Sequence, residues 1–199
     1  MDERLPGLLL GYHGCDRAVG EAVLAGRSDL RASQNAYDWL GHGVYFWEHN
    51  AHRAVEWARL LQANPRRGRR RIKEPMAIGA VVDPGFCLNL LDAHFLSQLP
   101  IAFEKLRRLH ASLGEPLPVN RTLGGSSDLL LRHLDCAVIE TLHQLRLDED
   151  KPSFDSARGV FVEGQPLYPG AAIQKLNHIQ ICVRNPECIK GYFRLRHSV

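Results

Sequence analysis

The sequence has no apolar run long enough to serve as a signal peptide or a membrane span, since the longest one near its start covers only Leu8 to Leu10. Its five cysteines are odd in number, are widely scattered and contain no Cys-x-x-Cys pair. This usage argues against a disulfide framework and against a structural zinc site. We therefore expect a cytoplasmic protein that does not bind a membrane and needs no metal.

The two common glycine-rich phosphate motifs are also missing. No Gly-x-Gly-x-x-Gly opens a helix, and no Gly-x-x-x-x-Gly-Lys phosphate loop occurs, so a nucleotide would have to bind by another route. The chain has 199 residues, of which 45% are hydrophobic. That suffices for one well-buried core but hardly for two ordinary domains, and residues 1–199 are expected to form a single domain.

Positive charge is concentrated in one short segment. The formal net charge is +3, but without a cluster of five arginines the 25 basic residues fall to 20, against 22 acidic ones. The cluster consists of Arg66, Arg67, Arg69, Arg70 and Arg71. It is either a solvated loop or a surface for a nucleic acid, an acidic protein acceptor or an inhibitory partner protein. No aromatic residue interleaves it, which argues against sequence-specific base recognition.

Hydrophobic periodicity predicts both strands and helices, and the two types of element do not alternate regularly along the chain. Asp16 and Asn50 are predicted N-caps of helices, and Asn64-Pro65 ends the second one. Residues 29–38 show neither period and are predicted to form a loop. Strands are predicted near residues 8–12, 44–47, 76–82, 159–163, 178–183 and 188–195, and helices within 88–113 and 129–147. This order suits an α+β domain rather than an alternating parallel sheet.

Two motifs place polar aromatic side chains beside glycine at the ends of short apolar runs. The first is Gly11-Tyr12-His13-Gly14-Cys15, and the second, about thirty residues later, is Leu40-Gly41-His42-Gly43-Val44-Tyr45-Phe46. A flat ligand at such a place could reach backbone amides and an aromatic face. The position of Tyr45 after two spaced glycines predicts an exposed ring over a groove.

These motifs resemble the ADP-ribosyltransferase fold of the diphtheria toxin and poly(ADP-ribose) polymerase branch. In that branch a strand-end His-Gly, here His13-Gly14, precedes a Gly-x-Gly-Ile-Tyr-Phe segment, here Gly41–Phe46, and a helix. The segment His178–Ile189 is similar to the strand that begins with the family's catalytic glutamate, and that position falls on Gln180. The resemblance implies an α+β fold with a split antiparallel β-sheet core and flanking helices, with a helical insertion at about 88–147.

The resemblance also implies how the chain would hold NAD as a co-substrate. The backbone of Gly14 would hydrogen-bond the amide of nicotinamide, His13 would hold the adenine-proximal ribose, and Tyr45 would stack on the nicotinamide ring. Gln180 would lie at the ribose 2′-hydroxyl, where a polar group supports the oxocarbenium-like charge that develops as nicotinamide leaves. His13, Tyr45 and Gln180 are therefore the candidate catalytic residues.

Further NAD contacts are expected from the loop between the two motifs and from the second motif itself. The family's loop arginine near the adenosine and the diphosphate falls on Arg31, with Ser33 and Asn35 close by. Gly43 would offer its backbone beside the ligand.

The activity implied is mono-ADP-ribosyl transfer, in which the nicotinamide N-glycosidic bond of NAD is cleaved and ADP-ribose passes to a protein or nucleic-acid acceptor. A free-standing domain of this size with such an activity often acts as a toxin or defence effector. Because Gln180 is a neutral amide, chain elongation is not expected, whereas single transfer or NAD hydrolysis is. Glu163 or Glu140 would supply a carboxylate if either lay near the pocket.

Two other functions fit the sequence. The chain is a catalytically weak module that binds NAD or ADP-ribose if Gln180 cannot replace a carboxylate, and a gain of activity in Gln180→Glu would favour that interpretation. Alternatively, it is a nucleic-acid-binding protein that acts through Arg66–Arg71, with His13 and Tyr45 in structural roles. Gln180 itself is flanked by isoleucines in a predicted strand, so an ordinary solvent-facing position is its structural alternative.

Overall fold

The computed structural model describes residues 7–65, 71–122 and 128–196. Within these ranges seven strands form one sheet, in the order β4-β5-β6-β2-β1-β3-β7. The strands are β1 Leu9–Asp16, β2 Val44–Glu48, β3 Pro75–Val82, β4 Cys87–Asn89, β5 Ser156–Phe161, β6 His178–Val183 and β7 Ile189–Phe193. Neighbouring strands are antiparallel except β4 and β5, which are parallel. The α+β class is confirmed, and the sheet is mixed rather than purely antiparallel because helices connect β4 to β5.

Local signals predict correctly where the first helix begins and where the second begins and ends. They are α1 Arg17–Leu24, α2 Ala51–Ala63, α3 Ala93–Leu96, α4 Leu99–Leu113, α5 His133–Asp148 and a 3₁₀ turn at Pro186–Cys188. The side chain of Asp16 accepts from the Ala18 amide, and that of Asn50 accepts from the Arg53 amide. Both predicted N-caps are thus confirmed.

The two faces of the sheet pack against different helices because side chains alternate along each strand. One face, which includes Phe46, Ile78 and Ile181, packs against α1. The opposite face carries Tyr45 and Cys182, which pack with α4 and α5, and Trp47, which packs with α2. Two groups of helices therefore cover different parts of the second face: α2 packs near Trp47, and the α4–α5 pair packs near Tyr45 and Cys182.

The strands β1 and β2 separate after a short stretch of pairing. β1 pairs with β3 along its whole length, from Leu9↔Val82 to Asp16↔Pro75. With β2 it shares two residue pairs, of which the last is Tyr12↔Trp47. We call the gap that opens beyond this pair, between residues 13–16 and 44–46, the β1–β2 split.

Several predicted boundaries need correction. The segment 88–113, predicted as one or two helices, begins with β4, and residues 129–132 precede α5 rather than belonging to it. The strand predicted at 159–163 is shifted towards the N-terminus and is β5, and that predicted at 188–195 shortens to β7. Residues 29–38 form a loop as predicted, with one bridge from Ser33 to Gly43.

Candidate functional site at the β1–β2 split

The backbone of Gly14 points into the β1–β2 split. The His49 amide donates to the Leu10 carbonyl at 2.9 Å, so residue 10 faces β2, whereas the Arg17 amide donates to the Glu74 carbonyl at 2.8 Å, so residue 17 faces the β3 side. In an antiparallel ladder successive residues face alternate neighbours. Residues 10, 12 and 14 therefore face β2. Since the recorded pairing ends at Tyr12↔Trp47, Gly14 has no ladder partner on β2 within the described part of the chain, although Tyr45 lies opposite it in the same register.

His13 bridges the two strands with its side chain. Its Nδ1 lies 2.8 Å from the Tyr45 carbonyl oxygen. Because a carbonyl can only accept, Nδ1 carries the hydrogen and donates it. Burial lowers the pKa of His13, against the raising effect of this hydrogen bond, so the ring is neutral near pH 7. Its Nε2 is then an acceptor for a donor such as a hydroxyl group.

The Tyr45 hydroxyl is held by the loop that precedes β2. It accepts from the Leu40 amide at 2.9 Å and donates to the Gly41 carbonyl at 2.8 Å. Burial raises the pKa of Tyr45 well above its ordinary value, so the phenol is not ionised at neutral pH. The ring is half-buried against the α4–α5 core rather than exposed, because these two hydrogen bonds draw it towards the loop. What it can offer a ligand is its ring surface.

Gln180 lies on β6, opposite Trp47 of β2. It is 9% exposed, so the solvent-facing position considered from the sequence is wrong. Its Oε1 accepts a hydrogen bond of 2.9 Å from Nε1 of Trp39, and the remaining polar group of its side chain, the Nε2 amide, is a donor. Gln180 can therefore give a ligand oxygen a hydrogen bond but brings no negative charge.

Trp39, which the sequence analysis did not single out, fixes the orientation of Gln180. A Cβ on Gly159 would approach the Trp39 ring to 2.9 Å, which shows how closely the indole lies on β5. The ring also contacts Phe161 edge-on, with 4.7 Å between centroids. A tryptophan in a loop without helical or strand periodicity was the available signal.

The two carboxylates proposed as substitutes for a catalytic glutamate both pair with arginines. Glu140 pairs with Arg184 at 2.6 Å and accepts from the His42 amide at 2.7 Å. Glu163 lies two residues beyond the end of β5 and faces Arg53 at 3.7 Å. The charge of each carboxylate is therefore already balanced by an arginine.

Comparison with known proteins adds no family to these observations. No protein-family model, curated protein or solved structure matches the chain.

Of the predicted loop contacts, Ser33 pairs with Gly43 beside β2, and Asn35 contacts Ser33. Ser33 and Gly43 exchange two backbone hydrogen bonds, at 2.7 and 3.1 Å, which extend the edge of β2. Asn35 donates to the Ser33 hydroxyl at 2.6 Å, and Arg31 is exposed. Gly43 is needed for packing, because a Cβ there would approach the Val183 carbonyl oxygen to 2.5 Å.

Three further expectations from the sequence concern the arginine cluster, a metal site and a membrane span. Arg66, Arg67, Arg69 and Arg70 lie outside the described residues, whereas Arg71 is described and exposed. In the described ranges, no group of three or more His, Cys, Asp or Glu side chains is arranged to hold a metal ion. No helix found there is long and apolar enough to cross a membrane.

Proposed function

We propose that the chain is a mono-ADP-ribosyltransferase that uses NAD as a co-substrate. The observation that carries the proposal is the direction of the Gly14 peptide groups. One N–H donor and one C=O acceptor face the split together, and a primary carboxamide, such as that of nicotinamide, offers the complementary acceptor and donor. The unpaired edge of β1 would thus bind the leaving group through the backbone alone.

The neighbouring strands supply the other elements that this reaction requires. His13, Tyr45 and Gln180 lie on β1, β2 and β6, which are adjacent in the sheet although the residues are far apart in the sequence. The His13 Nε2 would accept from a ribose hydroxyl, and the Tyr45 ring would form an apolar wall for the nicotinamide. A dinucleotide that meets all three groups would extend through the split, because the His13 ring contacts Phe46 on the α1 face whereas Tyr45 and Gln180 lie on the opposite face.

The chemistry of Gln180 sets the expected rate. Departure of nicotinamide creates an oxocarbenium-like sugar, which a carboxylate stabilises by charge and an amide does not. With Oε1 engaged by Trp39, the Nε2 amide of Gln180 would donate to the 2′-hydroxyl oxygen. We expect slow transfer of a single ADP-ribose, or slow NAD hydrolysis, and no chain elongation.

The test uses NAD labelled on the adenylate side, with cell lysate and separate nucleic-acid pools as acceptors, and measures nicotinamide release and label transfer. His13→Ala and Tyr45→Ala should abolish both. His52→Ala, which changes an exposed histidine on α2, is the matched control and should behave as wild type. Absence of any NAD binding by the wild-type protein would refute the proposal.

A NAD-binding module without turnover is the second candidate, and the engagement of Gln180 by Trp39 is the observation that favours it. Gln180→Glu separates the two, because a glutamate oxygen can still accept from the indole while adding a negative charge. If the wild type binds NAD without releasing nicotinamide and Gln180→Glu releases it, the chain is a binding module. If both release nicotinamide and the variant is faster, it is an enzyme limited by its neutral side chain.

A further inference from the structure

A cavity of about 500 Å³ lies beside the candidate site, between Trp39, α4 and α5. Leu99 and Phe103 of α4 line one side, and Val138 and Ile139 of α5 line another. This volume lies within the range of pockets that hold small organic molecules. The cavity is therefore large enough for a ligand of two fused rings or a comparable aliphatic group.

The two charged residues at the cavity are already engaged with protein groups. The Arg132 guanidinium lies over the rings of Trp39 and Phe161, at 5.3 and 4.5 Å from their centroids, and its Nε donates to the Leu129 carbonyl at 2.9 Å. Asp135 accepts from the side-chain amide of Asn120 at 2.9 Å and faces Arg132 at 3.5 Å. The two charges are opposite in sign and adjacent, so the cavity offers no net charge to a ligand.

The remaining lining is aliphatic or aromatic. Burying an ionised ligand against such a surface without a free counter-charge is unfavourable, whereas burying an apolar one is favourable in proportion to its area. The chemistry of the lining thus selects for an uncharged, largely apolar molecule.

We propose that this cavity is a ligand site for a small uncharged molecule with an aromatic or branched aliphatic body. It is separate from the groups assigned above to NAD, and the proposal does not depend on ADP-ribosyl transfer. Trp39 forms the wall between the two sites, since its ring lines the cavity while its Nε1 donates to Gln180. The indole N–H of Trp39 is consequently a direct reporter of occupancy.

The test is a titration with 1-naphthol, without NAD, followed by the tryptophan indole signals in ¹H–¹⁵N NMR spectra. Trp39→Phe assigns the Trp39 signal. We expect a saturable shift of that signal, and at least tenfold weaker binding of 1-naphthoate, which has similar rings but carries a charge. Equal affinity for the two probes would overturn the ligand class.

Variants that fill the cavity test its location. Val138→Phe adds bulk from α5, and Leu99→Phe does so from a half-exposed position on α4 that tolerates substitution more easily. Each should weaken 1-naphthol binding at least tenfold, whereas Ile101→Phe, on the exposed side of α4, should leave it unchanged. A shift that does not saturate, that is confined to the other tryptophans, or that survives both filling variants would overturn the proposal.

Discussion

Replacing Gly14 with alanine should destabilise the protein by at least about 3 kcal/mol. The Cβ of an alanine would lie 1.9 Å from the carbonyl oxygen of Ala54 and 2.8 Å from its carbonyl carbon. Real contacts of a Cβ essentially never fall below 3.0 Å, so α2 or β1 would have to move by about 1 Å. The obstacle is helix backbone rather than a flexible side chain, and both Ala54 and Ala58 of that helix are fully buried.

The magnitude follows from the cost of overpacking. Extra atoms in a well-packed core cost about 1–3 kcal/mol, and more where the neighbours cannot adjust, which places this substitution at or above the upper end. Gly191→Ala on β7 is the matched control, because a Cβ there meets nothing within 4 Å, and it should change the unfolding free energy by no more than about 1 kcal/mol in either direction. Urea denaturation of both variants measures the difference. A loss below about 1 kcal/mol in Gly14→Ala would show that α2 does not lie against β1 as described.

Three further predictions concern buried polar groups. Burial raises the pKa of Glu163 to about 7, so ionisation of this side chain destabilises the fold as pH rises from about 4.5 to 7. The unfolding free energy of Glu163→Gln should therefore exceed that of the wild type by up to about 3 kcal/mol at pH 8 and match it at pH 4. Glu48 pairs with Arg158 at 2.6 and 2.8 Å with side chains only 9% and 14% exposed, so Glu48→Gln should cost about 3–5 kcal/mol in urea denaturation, and a loss under 1 kcal/mol would contradict the buried pair. His143 is 2% exposed, neither ring nitrogen has a hydrogen-bond partner among the described residues, and burial lowers its pKa to about 4. His143→Leu should therefore stabilise the protein, and by more at pH 5 than at pH 7, because the wild type loses stability as pH falls from 6.5 towards 4. Equal effects at the two pH values would refute that assignment.

The sequence was sufficient where structure is decided by neighbouring residues. Asp16 and Asn50 cap their helices because the capping atoms and the amides they bind are two or three residues apart. The loop at 29–38 was predictable because no periodic pattern runs through it. The strand β4 was missed because it has three residues and pairs with β5 about seventy residues later, which leaves no local pattern.

The candidate site shows the same division between local and distant interactions. The motifs around His13 and Tyr45 identified the strands that border the split. They did not predict that the Tyr45 hydroxyl would form hydrogen bonds with the backbone of Leu40 and Gly41, which half-buries the ring. The hydrogen bond from Trp39 to Gln180 joins residues 141 positions apart and depends on the whole sheet being formed.

Position 14 in β1 must satisfy two requirements at once, one on the direction of its peptide groups and one on the size of its side chain. Its peptide groups face the split because of the alternation along the strand, and a register shift by one residue would present His13 or Cys15 there instead. Its missing side chain allows α2 to approach the sheet, which neither of those residues would permit. The substitution that would most directly alter the split, Gly14→Ala, therefore also disrupts the packing of α2. Loss of NAD binding in that variant would not identify a ligand contact, and the peptide of Gly14 has to be tested through the ligand, with NAD analogues that lack the nicotinamide carboxamide.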